Sequence, residues 1–168
     1  MSVVTNATPL IYLAKIGKLL LLKKLFGKVI IPEEVKKEVV DRGKEKGESD
    51  AYIIEQAITE GWLVIEKAQG KALQVKLHPG EEAVLILAVE KKISEVIIDE
   101  VPTRTAARIL GLTPRGTIYV LLKAVSKLEI NLEEFIELLE KLLECGFRLK
   151  EEIYLEAIRK AKGIRNEK

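Results

Sequence analysis

The sequence predicts a three-layer α/β fold: a central parallel sheet of four or five strands flanked by helices, with a helical extension at the C-terminus. Three observations lead there. Short apolar runs suited to strands recur at Val3-Val4, Val29-Ile30-Ile31, Trp62-Leu63-Val64-Ile65 and Val96-Ile97-Ile98. Helical segments separate them, and strands that alternate with helices pair in parallel, because each crossover returns the chain to the same edge. After Lys127 the alternation stops and only helical patterning remains. The chain therefore divides into a domain over 1–128 and an extension over 129–168 packed on the same domain.

Val3-Val4 forms the first strand, and the polar turn Thr5-Asn6-Ala7-Thr8 leads into a helix with Pro9 in its first turn, where a missing N–H is harmless. Residues 10–16 and 19–26 read as short helices split by Gly17, and Gly27 closes the second. After the second strand, Pro32 opens a helix running to about residue 41. Residues 42–49 are charged and glycine-bearing, which predicts a loop. A helix over 50–59, ended by Gly61, precedes the third strand, and residues 69–77 carry no single pattern. From Pro79 a helix runs to residue 91; its apolar stretch at 83–89 implies burial on every side. The strand at 96–98 is followed by a helix over 103–110, a Gly-Leu-Thr-Pro-Arg-Gly turn at 111–116 and a helix over 117–127. Asn131 caps an amphipathic helix over 131–144, Gly146 ends it, and a last helix spans 150–162.

Composition excludes several function classes. With 48% hydrophobic and 32% charged residues, the 168-residue chain can bury a core and stay in solution. The net charge of +2 excludes a strongly polycationic nucleic-acid binder, though not a local basic groove. The charges are uneven: residues 15–46 hold ten bases against five acids, 129–144 six acids and one lysine, and 159–168 five bases and one acid. A single cysteine, Cys145, rules out an internal disulfide and a zinc framework. The single histidine, His78, leaves little scope for histidine-based catalysis and reads as a bystander. The longest apolar run is too short to span a bilayer and no leader pattern opens the sequence, so a cytoplasmic protein is expected. Abundant Lys, Glu and Ile with few Cys, Met and Gln match a thermophile's composition.

The chemistry gathers at element ends. A polar side chain at the first strand-to-helix junction would sit at the carboxyl edge of the sheet, where such folds keep their sites. Glu38, Glu81-Glu82 and Asp99-Glu100 also fall at element ends. Acids converging on one sheet edge point to a divalent metal site, since hard cations take oxygen ligands. Each has a plainer reading. Asn6 would serve as a turn or helix-cap residue, Glu38 as a solvated helix charge, and Glu81-Glu82 as acids favoured by a helix N-terminus. The Asp99-Glu100 pair would be neutralised by Arg104. No glycine-rich phosphate loop is present, which argues against nucleotide hydrolysis.

Four segments resemble a known family: Thr-Asn-Ala-Thr-Pro-Leu-Ile-Tyr-Leu-Ala-Lys-Ile-Gly, Val-Ile-Ile-Pro-Glu-Glu-Val-Lys-Lys-Glu-Val, Leu-His-Pro-Gly-Glu-Glu-Ala and Ile-Ile-Asp-Glu-Val-Pro-Thr-Arg. Together they are similar to PIN-domain proteins, in the toxin-like ribonuclease subgroup with a two-helix C-terminal extension like 131–162 here. The resemblance implies a divalent-metal-dependent endoribonuclease using Mg²⁺ or Mn²⁺ to hydrolyse RNA. It also implies the toxin role of a toxin–antitoxin pair, with an antitoxin protein as partner, and a homodimer. The catalytic acids would be Glu38, Glu81, Asp99 and Glu100, with Asn6 and Glu82 joining them as metal ligands. Thr5, Thr8 and Arg104 would contact substrate. Two positions depart from the family pattern. Asn6 stands where relatives carry an acid, and Ala83 stands where the second acid of Gly-Glu-x-Glu belongs, with Glu82 as its substitute. Losing two charges from a four-acid site opens an alternative: a weakened PIN fold acting as an RNA- or protein-binding regulatory module.

Overall fold

A computed structural model describes residues 1–74 and 76–166. The strands are β1 (Ser2–Thr5), β2 (Lys28–Pro32), β3 (Leu63–Glu66), β4 (Glu95–Ile97) and β5 (Thr113–Arg115), all parallel, in the order β3-β2-β1-β4-β5. β1 lies at the centre, with Val3 opposite Val29 and Val4 opposite both Ile30 and Val96. Val3, Val4 and 29–31 are buried, as strands covered on both faces must be. The chain winds outward from β1 to β3, then crosses back to lay β4 against the other side of β1. The gap between the ends of β1 and β4 is therefore the switch point where an α/β sheet opens a crevice.

Helices α1 (Ala7–Lys15) and α2 (Leu20–Phe26) join β1 to β2. α3 (Glu33–Lys36) continues into a π-helical turn (Lys37–Arg42) and α4 (Gly43–Glu45), before α5 (Ser49–Thr59). The loop expected at 42–49 is thus largely helical. Gly43 has ordinary helical geometry, and a Cβ on it would meet the Cβ of Ala51 at 2.8 Å. Its missing side chain serves a close helix contact rather than a turn. In α6 (Pro79–Lys91), Ala83, Val84, Leu85, Leu87 and Ala88 are buried, but Ile86 is only half-buried and Val89 is 49% exposed, so the burial on every side expected over 83–89 is incomplete.

α7 (Val101–Ile109) precedes the fifth strand, which falls inside the expected turn at 111–116. The Ile98 N–H donates to Arg115 O (2.7 Å) and the Thr113 N–H to Ser94 O (2.7 Å). A proline in a strand is tolerated only at a sheet edge or a bulge, and β5 with Pro114 is an edge. Residues 69–74, 76 and 77 form no helix or strand, while Val75 lies outside the described residues. α8 (Thr117–Ser126), α9 (Leu132–Glu144) and α10 (Glu151–Asn166) complete the chain; α10 packs on both α8 and α9. Asn131 caps α9 by accepting from the Glu134 N–H at 2.8 Å. Phe135, Leu138, Leu139 and Leu142 join one hydrophobic core with the sheet residues. Among the described residues no helix is long and apolar enough to cross a membrane.

Candidate functional site

At the switch point a cavity of about 180 Å³ is lined by Asn6, Thr8, Glu38, His78, Glu81 and Glu100 among others. Each side chain arrives from a different part of the fold. β1 ends at Thr5, and the Asn6 N–H donates to Ile97 O on β4 (3.3 Å), pinning the junction against the neighbouring strand. Glu38 comes from the π-helical turn, a wider turn that recurs at functional sites. Glu81 stands in the first turn of α6, and Glu100 is the N-cap of α7.

Asn6 decides between its two readings by what its side chain does. It occupies the N-cap position of α1 yet makes no side-chain cap hydrogen bond. Its amide Nδ2 instead donates to Glu100 Oε2 at 2.8 Å. The other amide atom, Oδ1, has no hydrogen-bond partner among the described residues, and the residue is only 3% exposed. A buried acceptor left unpaired costs on the order of 1–3 kcal/mol, so folds keep few of them. Glu100 Oε1 accepts from the Thr8 hydroxyl, and Glu81 Oε2 from Thr103 Oγ1 (2.8 Å). Glu38 has no such partner among the described residues.

The structure therefore brings together Asn6, Thr8, Glu38, Glu81 and Glu100 from the sequence-derived set. It places four others elsewhere. Thr5 is fully buried and donates to Ile97 O at 3.1 Å, tying β1 to β4. Glu82 turns away to accept from the Leu73 N–H at 2.9 Å, while Ala83, the second departure from the family pattern, is buried. Asp99 accepts from the Thr117 N–H (2.8 Å) and hydroxyl (2.6 Å), so both oxygens serve the start of α8. Burial raises its carboxyl above the usual 3.8, against the lowering effect of the Thr117 hydrogen bonds. Arg104 donates to Ile98 O (3.0 Å); burial, then the charge of Arg108, lower its guanidinium from the usual value. Arg104 and Asp99 line a separate groove beside the cavity.

Sequence reading passed over three contributors. His78 lines the cavity and accepts from the Gly80 N–H through Nδ1 (3.4 Å), capping α6. Thr103 holds Glu81, and Thr117 holds Asp99. Nothing local marks these threonines, because their partners lie 22 and 18 residues away.

A DUF3368 family model, described as a PIN domain, matches residues 2–163. The chain belongs to the PIN-domain family. Comparison with curated proteins and with solved structures returned no match. Membership points to a nuclease-type function in general, and PIN domains generally use divalent metal ions. The cavity suits such an ion in its donor chemistry: three carboxylates, a hydroxyl and an orphaned amide oxygen are all hard oxygen ligands. Among the described residues, however, no three acidic, histidine or cysteine side chains are gathered closely enough to hold a metal. The hydrogen bonds from Asn6, Thr8 and Thr103 keep Glu100 and Glu81 engaged with the protein, while Glu38 is left free of such bonds among the described residues.

Proposed function

We propose that the protein is an endoribonuclease that hydrolyses RNA phosphodiester bonds at this cavity with Mg²⁺ or Mn²⁺. The observation that carries the reading is Asn6 Oδ1, a buried acceptor with no partner among the described residues, beside three carboxylates in one small cavity. Asn6, Glu38, Glu81 and Glu100 would hold the cation. The chemistry it supplies when bound is neutralisation of phosphate charge and activation of water. The chain's own residues do the rest. Thr8 and Thr103 orient Glu100 and Glu81, and the burial of Asn6 keeps its oxygen out of competition with bulk water. Asp99 acts one step back on this reading, fixing the N-terminus of α8 rather than facing the cavity. A toxin role, an antitoxin that fills the cavity, and a homodimer belong to the same proposal on family grounds alone.

The second reading, a regulatory PIN fold without turnover, draws on a different observation. Both oxygens of Glu100 are already satisfied by Asn6 and Thr8, as in a site closed by its own hydrogen bonds. Cleavage of an unstructured fluorescent RNA decides between them, measured with Mn²⁺ or Mg²⁺ and with EDTA. The nuclease requires metal-dependent cutting that falls about a hundredfold or more in a Glu38→Gln/Glu81→Gln double variant. Folded protein that never cuts at millimolar metal would establish the regulatory module instead.

A further inference from the structure

Beside the carboxylate cavity, and starting from the same strand end, runs a larger groove of about 600 Å³. Asp99 and Arg104 form its near end, and the far wall comes from the C-terminal extension: the segment between α9 and α10, and α10 itself. Arg104, Arg115, Arg148, Lys150 and Lys160 line it. Its acids are largely spoken for. Asp99 is buried and bonded by Thr117 through both oxygens, and Glu156 pairs with Lys160 at 3.1 Å. Among the described residues, Arg104, Arg148 and Lys150 have no carboxylate within ion-pair distance. Arg115 pairs with Glu95 at 3.3 Å and Arg104 feels the charge of Asp99, so the positive charge that the fold leaves uncompensated in the groove comes chiefly from Arg148 and Lys150. Ile118, Leu122 and Ala157 add apolar lining, and the Arg115 guanidinium lies 4.4 Å from the Tyr119 ring centroid.

We infer that this groove holds the single-stranded RNA that runs through the carboxylate cavity, with the C-terminal extension serving as its outer wall. The inference rests on the ribonuclease reading for the identity of its ligand. Unpaired cations at the rim match backbone phosphates, while apolar and aromatic lining suits base faces; that combination is the one single-stranded nucleic-acid sites use. An acidic peptide would satisfy the rim cations but gain nothing from a stacking surface.

Binding without catalysis keeps the two readings apart. Fluorescence anisotropy of a labelled twelve-nucleotide uridine RNA is measured on the full chain in EDTA over a series of salt concentrations. The Arg148→Ala/Lys150→Ala variant changes two exposed side chains outside any regular element, so its fold is expected to survive. Affinity should fall about tenfold or more, and the slope of log affinity against log salt should shrink by about 0.7 for each lost phosphate contact. Tyr119→Ala should weaken binding with little change in slope. As a control for bulk charge, Lys23→Ala/Lys127→Ala removes two exposed lysines elsewhere and should leave affinity near that of the native chain. Equal losses from both double variants, unchanged affinity in the groove variants, or competition by polyglutamate but not by unlabelled RNA would each overturn the assignment. If the groove variants lose RNA while the native chain never cuts, the groove stands and the ribonuclease proposal fails.

Discussion

Asn6 carries the most consequence of any residue in the chain, because one amide does two opposed things. Its Nδ2 satisfies Glu100, while its Oδ1 remains buried and unpaired. An aspartate there would remove the donor and set two carboxylates against each other in a buried site, which costs on the order of 1–3 kcal/mol where a hydrogen bond to a buried group is lost. A bound divalent cation would offset both charges and so reverse that sign. Asn6→Asp is therefore expected to melt several degrees below the native chain in EDTA and to recover, or surpass it, in millimolar Mn²⁺. Thermal melts of both proteins under both conditions measure this. A deficit that metal does not touch would mean that Asn6 serves only to satisfy Glu100. The sequence allowed both of its readings, cap and ligand, since a strand-to-helix turn needs a polar residue for either. Only the direction of the side chain separates them. Asp99 and Glu100 show the same limit: adjacent in sequence, they serve the start of α8 and the cavity respectively.

At the scale of elements, the legible features were those with strong periodicity or a sharp stop. The β1-to-α1 turn, α6 after Pro79 and α9 after its Asn131 cap all lie close to where local signals place them. The miscast segments share a cause, which is that tertiary contact overrode a turn signal. Pro114 and two flanking glycines spell a turn, yet the open edge of the sheet beside β4 accepts the short strand. Gly43 spells a loop, yet its lack of a side chain lets α4 sit against Ala51. That contact makes a prediction whose sign local propensity alone would get wrong. Gly43→Ala should gain about 1 kcal/mol as a helix residue but lose about 1–3 kcal/mol by overpacking Ala51, for a net loss of about 1 kcal/mol. Pairing it with Ala51→Gly relieves the clash, so urea unfolding of the double variant should recover part of the single variant's loss. A single variant more stable than the native chain would show that the helices part freely at this point. The contact also bears on the site, because the continuous helical run from α3 to α4 contains the π-helical turn that carries Glu38.

Across the whole molecule, the question is whether the extension over 129–166 is an appendage or part of one cooperative body. The sequence divided the chain at this point because the strand–helix alternation stops, and periodicity cannot say what an amphipathic helix packs against. In the structure Phe135 is fully buried in the same hydrophobic core as the sheet, and α10 packs on α8 as well as on α9. A core so shared should unfold as a unit. Phe135→Ala should cost about 3–5 kcal/mol as a cavity-forming change. The informative result is where that loss appears. The only tryptophan, Trp62, is buried beside β3, the sheet edge opposite β5, and so reports on a region remote from the extension in sequence. If the chain is one body, the variant shifts the Trp62 fluorescence midpoint and the far-ultraviolet circular dichroism midpoint equally in a denaturant titration. An appendage would lose its helical signal at lower denaturant while Trp62 kept its native midpoint. That split would also undercut the groove, whose outer wall would then melt away from a still-folded carboxylate cavity.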